Sequence, residues 1–336
     1  MDSLSQIVLG AAVSNAVLGK KIGNHSIVYG ALIGTIPDLD VWIAKFFYNP
    51  ITQIEVHRGF SHSILFYILL SFILAFVVSK IEKKNNVNFK ESYLAVFLIL
   101  LTHSLLDVFT TWGTQLFWPF YDKLAIKSIF VIDPLYTIPF LICLLISMRI
   151  NKENPKRFLW NAIGLVISST YLILTVFLQL IVKNKVEENL EINQIQYTSL
   201  VVKPTAMNTI LWNIIIETED AFLISDYSFF DTKEMKFETH YKNHEYIKLI
   251  SNELIIKQLK RISENQYIVT KNEDKLLFND LRFGLLSNNP NDIKYAFSYE
   301  LYDENGVWKA KEVEKEKRDG FQLLQKLWTR LKGNQN

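Results

Sequence analysis

Residues 55–70 read EVHRGFSHSILFYILL and set His57, Arg58, Ser61 and His62 against the start of an apolar run. Three other stretches carry groups of the same chemical kind: GTIPDLD with Asp38 and Asp40, LTHSLLD with His103 and Asp107, and IDPLY with Asp133. His103 and Asp107 are four residues apart. That spacing places them one turn apart on one helical face, where both can ligate a single metal ion. His57 and His62 are five apart, wrong for one helical face but workable if His57 lies in the preceding loop. Imidazole with carboxylate and no thiolate suits Zn2+, with Mn2+ or Fe2+ as other choices. Such an ion lowers the pKa of bound water to about 7 and supplies hydroxide at neutral pH. Each cluster also has a plainer reading. Asp38 and Asp40 can end a helix in a turn, Ser61 can cap one, Asp133 before Pro134 can be an N-cap, and Arg58 can reach lipid headgroups. His57 can be a surface histidine, and His103 with Asp107 a structural pair. The joint occurrence of these groups at one depth, in three separate apolar segments, favours a metal site.

What must position these groups is a set of apolar helices. Uncharged apolar runs fill residues 63–79, 92–106, 134–148 and 158–182. About 20 such residues cross a bilayer core of roughly 30 Å. An ionisable side chain at that depth costs a few kcal/mol, so it faces the interior of the bundle and has a partner there. The opening MDSLSQIVLGAAVSNAVLGKK has its basic pair after the apolar stretch, and Ser5, Gln6, Ser14 and Asn15 interrupt it. It reads as a retained, interior-facing helix rather than a cleaved signal. Lys20 and Lys21, the segment 80–90 and the segment 149–157 are rich in Lys and Arg. The opposite connections carry only Lys45, Arg58, Lys123 and Lys127. The positive-inside rule then implies six passes, near 3–19, 25–43, 62–79, 92–110, 129–148 and 158–182, the first two weak as spans. On this reading the amino terminus and residues 183–336 lie outside the cytoplasm, and all four polar clusters sit near the outer face.

The expected architecture is a mainly α polytopic bundle over residues 1–182, followed by a soluble α+β domain over 183–336. The chain is 49% hydrophobic overall, but that share is concentrated in the first part. Residues 1–182 hold 14 of the 36 Lys and Arg and 10 of the 34 Asp and Glu, and the rest alternate along 183–336. There is no basic patch, which argues against a nucleic-acid partner. The single cysteine, Cys143, lies in an apolar run, so disulfides and cysteine-based zinc sites are excluded. Residues 209–231 read as two strands around a turn at Glu217–Asp220, and 243–263 as a helix. Strands are expected at 266–271, 276–285 and 293–303, with a closing helix at 319–332.

At HRGFSHS, together with PDLD, THSLLD and DPLY, the sequence resembles the YdjM-like family of bacterial inner-membrane proteins, described as metal-dependent hydrolases. MDSLSQIVLGAAV, GTQLFWPF and KPTAMNTILWN (203–213) fit the same family. Many of its members have Thr-His where this chain has Ser5-Gln6, which removes one possible nitrogen ligand. A more distant similarity, through the His-x-x-x-Asp spacing of His103 and Asp107, is to zinc phospholipases C and related zinc nucleases. These resemblances imply an inner-membrane hydrolase that uses metal-activated water, most simply Zn2+, on a lipid or lipid-linked phosphoester. Asp38 and/or Asp40, His57, His62, His103 and Asp107 would be the ligands. Arg58 would hold phosphate or an oxyanion, Ser61 and Thr102 would support the ligands, and Asp40 or Asp133 would be the general base. Asn208 and Trp212 would approach from the following domain. Two other expectations stand beside this one: a transporter or regulatory scaffold whose polar cluster binds an ion, and a partner-binding protein anchored by its membrane half.

Overall fold

The computed structural model describes residues 1–120, 123–251, 253–272, 275–289, 292–314 and 320–334. Its contacts divide the chain into two units. One comprises Met1–Ile43, His57–Leu180 and Pro204–Thr209, the other Ala44–Val56, Ile181–Lys203 and Ile210–Asn336.

In the first unit, α1 (Ser3–Ile22) opens on Asp2, whose carboxylate accepts from the Ser5 amide. It stops at Gly23, whose φ of 56° lets its N–H reach the Gly19 carbonyl. Most of α1 is buried, including Ser5, Gln6, Ser14 and Asn15, as an interior helix requires. α2 (Asn24–Gly34) packs on α1 with backbone touching backbone. A Cβ on Gly10 would lie 2.4 Å from the Gly30 carbonyl oxygen, and one on Gly30 would lie 2.2 Å from that of Gly10. Only glycine at both positions permits this approach.

After α2 the chain makes a 3-10 turn at Pro37–Leu39 and continues as α3 (Asp40–Phe47) and α4 (Pro50–Val56). Pro37 lacks the N–H that an uninterrupted helix would use, so the chain breaks where Asp38 and Asp40 stand. A second 3-10 turn, Phe60–His62, leads into α5 (Ile64–Ile81). Then come α6 (Phe89–Val108), started by a capping box between Asn88 and Glu91, and α7 (Pro134–Arg149), capped by Asp133. α8 (Pro155–Ile192) runs for 38 residues. Each of the six apolar segments read from the sequence carries a helix, although 25–43 is interrupted at residues 35–39 and the helix in 129–148 starts only at Pro134. Four stretches are long and apolar enough to cross a membrane: Asn24–Phe47, Ile64–Asn85, Phe89–Val108 and Pro155–Ile192. α7 is apolar but shorter.

The outward face of α5 is oily. Leu69, Phe72, Ile73 and Phe76 are more than half exposed, while Tyr67, Ser71, Ala75 and Val78 pack inward one helical turn apart. At the basic end of the unit, the buried Arg157 donates from Nε and Nη2 to Asn15 Oδ1 (3.2 and 2.9 Å) and from Nη1 to the Ile150 carbonyl (3.0 Å). This ties the start of α8 to α1 and to the end of α7.

The second unit carries two antiparallel four-stranded sheets. β1 (Ser199–Pro204), β2 (Leu211–Glu217), β3 (Ala221–Ser228) and β4 (Glu238–Tyr241) pair in that order. So do β5 (Tyr267–Asn272), β6 (Lys275–Asn289), β7 (Asp292–Glu304) and β8 (Val307–Glu312). The hairpin expected around Glu217–Asp220 is β2–β3, with Glu217 opposite Phe222. The single helix expected over 243–263 is instead a 3-10 stretch, His244–Ile250, and α9 (Leu254–Ile262), with Glu253 extended between them. The apolar positions do not share one face: Leu249 is fully exposed, whereas Ile247 and Leu259 are buried. α9 packs into a core with Ile51, Tyr267, Val269, Phe278 and Tyr299, and Glu55 of α4 accepts from Gln258 and Arg261. The closing helix, α10 (Gly320–Leu331), is held by the Arg330 guanidinium, which forks onto both Asp231 oxygens at 2.7 Å.

Candidate metal centre

Four side chains converge at the break between α2 and α3. Asp38 comes from the 3-10 turn after α2, His62 from the turn before α5, and His103 and Asp107 from one face of α6. His62 Nε2 lies 3.4 Å from Asp38 Oδ1 and 3.6 Å from Asp107 Oδ2. His103 Nε2 lies 3.6 and 3.8 Å from the same two oxygens. All four atoms are within 4.8 Å of one another. His62, His103 and Asp107 are buried, whereas the Asp38 side chain is 27% exposed and forms the accessible side of the group.

Hydrogen bonds around the imidazoles decide which nitrogen faces inward. His103 Nδ1 is 2.7 Å from the Gly34 carbonyl oxygen. A carbonyl can only accept, so Nδ1 carries the proton and the neutral ring turns a lone pair of Nε2 towards the carboxylates. His62 is fixed through one more step. Ser61 Oγ donates to Asp40 Oδ2 (2.7 Å) and has no proton left for His62 Nδ1 at 2.9 Å, so Nδ1 must donate to it. In the neutral ring His62 Nε2 therefore also presents a lone pair.

With both rings in these neutral tautomers, four acceptor atoms meet. Among the described residues His62 Nε2, His103 Nε2 and Asp107 Oδ2 have no hydrogen-bond partner, although all three are fully buried. Such an arrangement costs several kcal/mol unless a cation sits between the atoms. Ligands about 2.0–2.2 Å from a tetrahedral Zn2+ stand about 3.3–3.6 Å apart, close to the four distances here. Asp107 is flanked by the Arg58 guanidinium and the Met1 amino group.

The surrounding residues hold this group rather than join it. Arg58, buried and with a φ of 62°, places Nε 3.1 Å from Asp107 Oδ2, and its Nη1 donates to Thr110 Oγ1 (3.0 Å). The Arg58 amide donates to Asp40 Oδ2 (3.1 Å), and His57 Nδ1 lies 2.9 Å from Asp40 Oδ1. Asp40 and His57, both read from the sequence as possible ligands, pair with each other beside the four-atom group. Burial pushes the His57 imidazole below its ordinary pKa, against the opposing pull of Asp40. Asp133 stands apart: Oδ1 accepts from the Leu135 and Tyr136 amides and Oδ2 from Tyr171. Thr102 returns its hydroxyl to the Leu98 and Ile99 carbonyls of its own helix. Asn208 bonds Thr205 and Ala206 in its own loop, and Trp212 is fully buried in the second unit. His25 faces Glu82, and His244 stacks on Tyr267.

Two contributors, Gly34 and Ser104, were not singled out from the sequence, and a third, Gln6, was marked there as standing where relatives have a possible nitrogen ligand. Gly34 supplies the carbonyl that sets the His103 tautomer. Ser104 Oγ donates to the His62 carbonyl (3.0 Å) and is itself bonded to Tyr67. Gln6 Nε2 donates at 3.1 Å to both the His103 carbonyl and Asp107 Oδ1. Gln6 had a signal, a polar group inside an apolar run, whereas a backbone carbonyl has none.

Residues 1–186 match the family described as YdjM inner membrane protein. The chain belongs to that family. It is also 28% identical over 238 residues to the uncharacterized protein YfhP of Bacillus subtilis (strain 168), an alignment covering 67% of each chain. No solved structure matches it. The matched region of this YdjM family member contains every residue of the candidate centre, and with its four apolar helices the chain is a membrane protein.

Within the YdjM unit, the link from Asp40 through Ser61 to His62 makes a direct prediction. Ser61→Ala leaves His62 Nδ1 without its acceptor while the four converging atoms remain. Metal affinity measured by competition with a chelator should fall about 10–100-fold, the usual cost of losing a partner of a ligating histidine. Unchanged affinity would show that Ser61 does not orient His62.

Proposed function

We propose that this protein is a membrane-embedded, metal-dependent hydrolase acting on a lipid or lipid-linked phosphoester. The observation that carries the reading is the meeting of two imidazole nitrogens and two carboxylate oxygens within 4.8 Å of one another, three of the four residues being buried. Asp38, His62, His103 and Asp107 would hold the ion, with Zn2+ preferred because tetrahedral nitrogen and oxygen ligation fits their spacing. Once bound, a divalent ion of this kind lowers the pKa of a ligated water towards about 7. Arg58 balances and orients Asp107, and its charge favours a phosphate-bearing substrate. Ser61 and Asp40 lock the His62 tautomer, and the Asp40–His57 pair is placed to take up a proton. Asp133, with both oxygens engaged, has a capping role in this scheme. The placement in the cytoplasmic membrane, with the C-terminal part outside the cytoplasm, rests on the distribution of Lys and Arg.

The test is turnover of a lipid extract by the metal-loaded, detergent-purified protein, read by mass spectrometry of the lipids and by release of the phosphorylated headgroup. The wild type should convert at least one lipid class, and His62→Ala should convert none. A broken span also occurs in ion transporters. Stoichiometric metal in the wild type with no lipid converted would therefore favour transport or an ion-regulated scaffold over hydrolysis.

A further inference from the structure

An apolar groove of 690 Å³ runs along the outer surface of α5 and α6, lined by Ile68, Leu69, Phe72, Ile73, Phe89 and Tyr93. Between it and the candidate centre stands a cluster of rings. Phe60, in the same 3-10 turn as His62, packs on Phe66 at 4.9 Å and on Trp118 at 5.0 Å between ring centroids. Phe66, Leu69 and Ile73 follow one another on a single face of α5. The loop carrying Trp118 is bound to the same turn, since the Gln115 amide donates to the Arg58 carbonyl (2.9 Å) and the Ile64 amide to that of Leu116 (3.0 Å). Phe60, Phe117 and Phe120 are 46%, 57% and 72% exposed, the placement of aromatic side chains that sit at the level of lipid headgroups. Two cations lie at the same end: Arg58, and Lys123, whose Nζ is 3.4 Å from the His57 carbonyl and 5.6 Å from the centre of the Trp112 ring.

We infer that the groove between α5 and α6 seats the acyl chain of a membrane phospholipid whose phosphate headgroup lies beside Arg58 and Lys123, so that this lipid reaches the centre sideways from its own leaflet. Lengths agree. Ile68 lies four residues into α5, about 6 Å along the helix from Ile64, and the groove ends near the ring contact between Phe72 and Phe89. A chain descending from a headgroup at His62 therefore enters the groove within half of a bilayer core, about 15 Å. The charge pattern also agrees, with cations above and only apolar side chains below. The groove is continuous with the exposed apolar face of α5 that carries Leu69, Phe72, Ile73 and Phe76. The inference rests on the hydrolase reading for the fate of the lipid but not for its seat.

The experiment is photo-crosslinking of the full-length protein in nanodiscs with two trace probes carrying a diazirine in the acyl chain. One has a phosphate headgroup and the other is the matching uncharged diacylglycerol. Labelling by the phosphate probe should concentrate on Ile68, Leu69, Phe72 and Tyr93, several-fold above lipid-facing positions of α8 such as Val166 and Phe177. The diacylglycerol should show no such preference. Leu69→Trp, which fills the groove from its exposed side, should abolish the preference while leaving metal content unchanged. Equal labelling of α5 and α8, or equal labelling by both probes, would overturn the proposal. Because nothing in the measurement needs turnover, concentrated labelling without hydrolysis would count against the hydrolase reading alone.

Discussion

His103→Ala gives a folded protein that no longer retains metal and converts no lipid. His103 supplies one of the four converging atoms, and its Nδ1 bond to Gly34 aims that atom. Removing the ring leaves two carboxylates and a single imidazole, with a space where the other nitrogen stood. The loss in affinity should exceed the roughly 10–100-fold that follows from removing a supporting partner such as Ser61. Truncation also leaves the buried Gly34 carbonyl unpaired, at about 1–3 kcal/mol, so part of any effect could reflect destabilisation. His103→Gln separates the two, because its amide can still donate to Gly34 but offers no imidazole. Metal analysis of both purified variants beside the wild type, with thermal unfolding measured in parallel, decides the matter. Full metal content and normal turnover in His103→Ala would remove the basis for the centre.

Gly30→Ala, a single methyl added outside the four-residue group, should cost the protein much of its metal. The new Cβ would lie 2.2 Å from the Gly10 carbonyl oxygen and 2.6 Å from Ser14 Cβ, with backbone on one side and a packed side chain on the other. α1 and α2 must separate to admit it. Overpacking of this kind costs about 1–3 kcal/mol. α2 carries the Gly34 carbonyl four residues further on, and α1 carries Gln6, which holds Asp107 and the His103 carbonyl. Moving either helix loosens the aim of His103. The expected result is a lowered unfolding temperature together with a loss of bound metal. Gly34→Ala, whose nearest contact would be 3.2 Å, should be milder, and Gly320→Ala, with nothing within 4 Å, should be silent. Equal metal content in Gly30→Ala and Gly320→Ala would show that the spacing of α1 and α2 does not reach the centre.

The secondary structure was readable where local composition alone decides it. Uncharged runs such as 63–79 and 158–182 can only be long apolar helices, and the alternating residues around Glu217–Asp220 can only be a hairpin. β1, β4 and β8 were not readable. They are short, and VWKAKE in β8 alternates charge on an exposed face, so its state depends on pairing with β7. The split of 243–263 was hidden for a similar reason: Leu249 looks like a core residue but points to solvent.

The chemical groups that are available, and their place beside apolar runs, follow from the chain alone. The i, i+4 spacing of His103 and Asp107 is a property of any helix, and the cost of burying imidazole and carboxylate among apolar residues obliges them to find partners. How the groups sort depends on the packing in three dimensions. Asp38 and Asp40 differ by two residues, yet the turn at Pro37 sends one into the four-atom group and the other to His57, Ser61 and the Arg58 amide. His57 and His62 part in the same way, because the left-handed backbone at Arg58 turns the chain between them. The carbonyl of Gly34 that sets the tautomer of His103 could not be read at all. Every residue has such a carbonyl, and its direction depends on how closely two glycine-bearing helices approach.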